Sequence, residues 1–232
     1  LTLKDYTYEG SGYAGTYTVT ETDYEYDFLF CAPVYAPSNL TIRLVGENRL
    51  INTGRGGYYS SGILAGADLT VEGSGALTIS SNGDAIYAFG GKLTINDGRI
   101  TVRDSEFGLY VMDATINGGV LDLEAKYVIE ADYLTVNGGH LKLSGSYTAM
   151  YIWSALTLAD NVSILVPENG EIGLFDDYFY TPLDEEGYPS REAELISVHK
   201  LTFTINGDVY QEMDVPYGAK IEVPSYSTPT GY

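Results

Sequence analysis

Ala114-Thr115-Ile116-Asn117-Gly118-Gly119-Val120-Leu121-Asp122-Leu123 is the stretch on which the reading of this chain turns. Two short runs of alternating apolar and polar residues flank an Asn-Gly-Gly turn. The same arrangement recurs at Leu93-Thr94-Ile95-Asn96-Asp97-Gly98-Arg99-Ile100-Thr101-Val102 and at Leu134-Thr135-Val136-Asn137-Gly138-Gly139-His140-Leu141-Lys142-Leu143. Period-2 alternation with β-branched residues is the signature of a strand, and helical spacing is absent. Glycine accepts the positive φ of a sharp corner, and asparagine tolerates it. Asparagines stacked at one corner can hydrogen-bond along the stacking axis.

Working outward, the threonines of the first run extend to Thr41, Thr70, Thr94, Thr115, Thr135 and Thr157, spaced 29, 24, 21, 20 and 22 residues apart. Repeats of this length mark a solenoid, in which each unit buries its apolar face against its neighbours. A third run recurs between the others: Gly62-Ile63-Leu64-Ala65, Ala85-Ile86-Tyr87-Ala88, Gly108-Leu109-Tyr110-Val111, Val128-Ile129-Glu130-Ala131 and Ala149-Met150-Tyr151-Ile152. Three strands per turn predict an all-β fold, a right-handed three-sided parallel β-helix of about six rungs. The expected organisation is an N-terminal cap over 1–37, the helix over 38–175, a linker or covering loop over 176–199 and a β-hairpin segment over 200–232.

Alternation assigns the faces. The threonines form an outward ladder that is plain scaffold. On the second strand Arg103 is expected opposite Glu124, and Asp122 opposite Lys142. On the third strand Ile63, Ile86, Leu109, Ile129 and Met150 point inward. Tyr87, Tyr110, Glu130 and Tyr151 therefore point outward, followed by a second outward row with Phe89, Met112, Asp132 and Trp153. Flat aromatics beside carboxylates suit sugar rings, whose apolar faces meet aromatic faces while hydroxyls meet acceptors. The competing reading is that the chain's own ends cover this patch.

Charge bounds the partners. Thirty-two acidic residues against 12 basic ones give a net charge of -20, which repels nucleic acid and anionic membranes. No run reaches the length of a membrane span. The absence of an initiating methionine or a signal segment reads as a mature or trimmed chain. Cys31 is the only cysteine, so no internal disulfide forms; it is expected to be a small buried apolar residue.

Two resemblances follow from these motifs. Ala67-Asp68-Leu69-Thr70-Val71-Glu72-Gly73-Ser74-Gly75-Ala76-Leu77-Thr78-Ile79 and the Asn-Gly-Gly repeats resemble a bacterial cell-surface carbohydrate-binding parallel β-helix family. That resemblance implies a non-catalytic, secreted or cell-surface adhesion module that docks cellulose or acidic glycans, with calcium bound along the helix. The outward face read from alternation supplies the candidate sugar-binding residues Tyr87, Phe89, Tyr110, Glu130, Asp132, Tyr151 and Trp153. The candidate calcium ligands are Asp84, Asp104 and Glu106. From Lys200 onward, Leu201-Thr202-Phe203-Thr204-Ile205, the Asn206-Gly207 turn and Tyr217-Gly218 resemble the small β-repeat module of Listeria and Bacteroides surface proteins. The final strand and Gly-Trp of that module are missing, so it reads as truncated, with further surface modules expected downstream.

An enzyme is the main alternative, because parallel β-helices also host pectin lyases and polysaccharide hydrolases. Asp122 with Glu124, or Glu130 with Asp132, offer the paired carboxylates a glycosidase needs. His140 reads as a lone surface residue. Short, regular turns leave little chain for the walls of a catalytic cleft. A purely structural stalk is the third reading.

Overall fold

The computed structural model describes residues 1–20, 25–54 and 59–225. Every named element is a strand, and the strands pair largely in parallel, as in a β-solenoid. Three columns of in-register pairs carry the stack. In the first, Leu40, Leu69, Leu93, Ala114, Leu134 and Leu156 succeed one another. Their neighbours Thr41, Thr70, Thr94, Thr115, Thr135 and Thr157 form the expected outward ladder. The second column aligns Leu50, Ile79, Val102, Leu123 and Leu143. The third aligns Val34, Ile63, Ile86, Leu109, Ile129 and Met150.

These inward residues meet in one apolar core, and most are wholly shielded from solvent. Burying each Leu or Ile contributes about 1.5–3 kcal/mol, so the inward columns supply most of the driving force. The corner between the first two columns is held as the sequence predicts. Gly98, Gly119 and Gly139 adopt φ of 103°, 91° and 100°. Asn117 donates through Nδ2 to Asn96 Oδ1 at 2.9 Å, and Asn137 to Asn117 Oδ1 at 2.8 Å.

The N-terminal segment contains a rung that its sequence conceals. Thr2–Lys4 pairs in parallel with Leu40–Val45, Thr7–Gly10 with Glu47–Asn52, and Val34–Ala36 with Tyr59–Ala65. Between the second and third of these pieces, Tyr13–Thr20 and Glu25–Ala32 form an antiparallel hairpin that extends from the rung. Cys31 is buried beside Asn52, whose Nδ2 donates to the Cys31 carbonyl at 2.8 Å.

At the other end the parallel order stops. Glu192–Ile205 runs antiparallel to His140–Gly145, aligning Leu195 with Leu141 and Ala193 with Leu143. Leu195 and Ala193 are buried, so this strand seals the core. Val162–Val166 adds antiparallel on its outer side. The same strand continues past residue 200 into a hairpin with Asp208–Pro216, turning at Asn206 and Gly207 with φ of 53° and 94°. A single strand therefore crosses the position where the sequence suggests a domain boundary.

The cap also changes two expected side-chain roles. His140 is half-buried rather than a lone surface group, with Nε2 2.6 Å from Glu194 Oε1. Lys142 aligns with Asp122 as expected, but its ammonium meets Glu194 at 3.5 Å. Arg103 meets Glu124 at 3.4 Å, as expected, and Asp122 at 2.7 Å as well.

Candidate functional site

The third column determines which rings share a face. Its outward row reads Tyr35, Leu64, Tyr87, Tyr110, Glu130 and Tyr151 in register. The first two places are covered: Leu64 is buried and packs with Phe30 and Ala32 of the N-terminal hairpin. The last is covered as well, because Tyr151 stacks on Phe179 with centroids 3.9 Å apart. Between these ends the row is open. Tyr110 is 37% exposed, and in the next outward row Met112 is 53% and Trp153 37% exposed. Intramolecular cover and an open face thus both occur, at different heights on one side.

The open stretch is a groove of about 290 Å³ running along the stacking axis. Ala88, Val111 and Ala131, in register on successive strands, form its floor. Tyr87, Tyr110 and Glu130 line one side, and Phe89, Met112, Asp132 and Trp153 the other. Six of the seven residues predicted to bind sugar therefore come together. Tyr151 does not line the groove; it holds Trp153 from behind in an edge contact at 4.7 Å.

The rings also stack on one another, a feature that sequence periodicity leaves open. Tyr87 and Tyr110 lie 5.1 Å apart and 7° from parallel, and Phe107 packs on Tyr110 at 5.0 Å. A further ladder runs Phe107–Tyr127–Tyr147 at 4.9 and 5.1 Å. Those three residues are missing from the expected face, although their own spacing of 20 residues was legible in the sequence. Much of the ring area that a sugar would use is thus shared between rings. Within the open stretch the column of rings breaks where Glu130 stands between Tyr110 and Tyr151.

Glu130 is half-buried. Burial pushes its carboxyl above the usual carboxylate range, a hydrogen bond from Trp153 opposes the shift, and Asp132 adds to it. Burial, followed by the charges of Glu130, Asp84 and Asp132, pushes the Tyr110 phenol up as well.

A second groove, of about 450 Å³, lies on the other side of the Tyr87–Tyr110 pair. Asp84 and Glu106 line it, so two of the three expected calcium ligands border the same groove. Asp84 is buried and accepts from Ser61 Oγ at 3.3 Å. Burial pushes its pKa up to about 7 against that hydrogen bond, and Glu106 and Glu130 add to the rise. Glu106 is paired with Lys126 at 3.2 Å. Asp104 sits apart at a bulge within the strand Arg99–Ile116, at φ 54°, bordering a different cleft with Glu124 and Lys126. Among the described residues no group of three or more His, Cys, Asp or Glu is placed to hold a metal ion. The carboxylates of Asp122 and Glu124, considered for hydrolysis, both face Arg103.

No family model, curated protein or solved structure matches the chain.

Proposed function

We propose that this chain is a non-catalytic polysaccharide-binding module, secreted or displayed at a cell surface, built on a right-handed parallel β-helix of about six rungs. Right-handedness follows the general rule for parallel strand crossovers. The observation that carries the function is the axial groove at the break in the ring column. Aromatic walls, an apolar floor and two acceptor carboxylates facing each other across it match the amphipathic surface of a sugar chain. Its floor crosses three strands, about 10 Å at the usual strand spacing, which suits a stretch of chain rather than a single ring.

Trp153 is the only tryptophan and lines the groove, so its emission reports occupancy directly. Titration with soluble oligosaccharides is expected to shift that emission. Phe89→Ala and Trp153→Ala are each expected to weaken retention on a polysaccharide affinity gel about threefold to tenfold, the scale of one aromatic contact. Unchanged retention in both variants would reject the reading.

The self-stacked ladder Phe107–Tyr127–Tyr147 favours a second reading, a stiff spacer whose rings serve only the stack. Failure of every glycan to move the Trp153 emission would leave that reading in place.

A further inference from the structure

We infer that the axial groove takes a cationic amino-sugar polysaccharide, with a protonated amine seated between Glu130 and Asp132 against the rings of Tyr110 and Trp153. The inference rests on the polysaccharide-binding reading and names the class of sugar.

The charge inventory of the faces is the first argument. Elsewhere on the stack several acids have a base in reach: Asp113 meets Lys92, Asp122 and Glu124 share Arg103, and Glu194 takes His140 and Lys142. Among the described residues, no ion pair involves Glu130 or Asp132, and no Lys, Arg or His lines their groove. A half-buried carboxylate beside a second one is costly to keep charged, and a neighbouring cation offsets that cost.

The shape and chemistry of the groove also fit an ammonium cation. An ammonium offers three N–H donors and is attracted to aromatic faces. Two carboxylates on one rung, with the Tyr110 ring on the rung before and Trp153 on the rung after, match that demand. Calcium asks for six to eight oxygens, and no cluster of three or more ligating side chains is present among the described residues. A uronic acid polymer would bring a third carboxylate to a groove that already holds two, which Coulomb repulsion opposes. A neutral glucan fills the groove but leaves the charge of Glu130 unmatched.

The test is titration of the whole chain with four oligomers of equal length, followed by Trp153 emission and calorimetry at physiological salt, where long-range attraction to the acidic surface is screened. The probes are β-1,4-linked glucosamine, its N-acetylated counterpart, a cello-oligosaccharide, and oligogalacturonate with and without calcium. The glucosamine oligomer is expected to bind at least roughly tenfold tighter than the other three, the scale of a charge-assisted contact. The double variant Glu130→Gln, Asp132→Asn should erase that preference while neutral sugars still bind. Glu168→Gln with Glu186→Gln, which removes the same charge from exposed sites elsewhere, should preserve it. Equal binding of the acetylated or cello-oligomer overturns the inference and leaves the sugar-binding reading standing. Calcium-dependent binding of oligogalacturonate in preference to glucosamine overturns it too, as does equal loss in the distant double variant. If no oligomer binds, the underlying reading falls along with it.

Discussion

Asp84 shows how far one buried carboxyl can move the stability of a solenoid. In the unfolded chain it ionises near pH 3.9, whereas in the fold burial raises it to about 7. The native state therefore holds this proton more tightly. The stability it contributes is full below about pH 4, declines as pH rises through 7, and is absent above that. Asp84→Asn keeps an oxygen to accept from Ser61 and removes the charge. It is expected to stabilise the protein by up to about 4 kcal/mol near pH 8 and to change little near pH 4, read from urea unfolding at both. A variant with equal gains at both would show that Asp84 is already ionised without penalty. Asn117 is the contrasting residue, exposed but bonded above and below along the corner. Asn117→Ala is expected to cost about 1–2 kcal/mol, the worth of two net hydrogen bonds, with little pH dependence.

Among the described residues, Tyr217 ties the hairpin of Glu192–Ile205 and Asp208–Pro216 back to the solenoid. Tyr217 accepts from the Gly119 N–H at 2.8 Å and donates to Asp97 at 3.2 Å, binding the hairpin's end to the Asn-Gly-Gly corner. Tyr217→Phe is expected to speed amide exchange across 208–217 by about tenfold, for a loss of about 1–1.5 kcal/mol, while protection of Leu121 and Leu141 stays unchanged. Exchange that rises equally in the core would show the hairpin to be part of the cooperative unit. Elements such as these also mark what the sequence could and could not disclose. The inward columns were legible because burial demands an apolar residue at every second place, and the repeat fixes which places align. The sealing strand over 192–197 was not, because it occurs once and its buried Ser197 breaks the alternation. The rung within residues 1–36 was hidden for a similar reason: the paired strands Tyr13–Thr20 and Glu25–Ala32 are inserted in it, so no fixed period remains. At the groove, alternation placed Tyr87, Phe89, Tyr110, Glu130, Asp132 and Trp153 on one side. It carries no information on ring planes, so the stacking of Tyr87 on Tyr110 and the withdrawal of Tyr151 onto Phe179 needed coordinates.

At the scale of the molecule, 32 acidic side chains against 12 basic ones repel one another more in the compact state than in the extended chain. Raising monovalent salt from about 0.01 M to about 0.15 M shortens the screening length from about 30 Å to about 8 Å. The melting temperature is expected to rise over that range; a fall would mean that the ion pairs of Arg103, Lys126 and Glu194 outweigh the net repulsion. The caps at the two ends have a different consequence. Each is built from strands outside the repeat, whereas Arg99 aligns with Val120 and Val120 with His140 as interchangeable turns. Length is therefore a variable that evolution or an engineer can change without touching either terminus. Duplicating residues 99–119 is expected to add one strand spacing, about 4.8 Å, to the long axis seen by small-angle scattering. The same duplication would lift Trp153 one further step away from Phe89, making the groove a gauge whose reach is counted in whole turns.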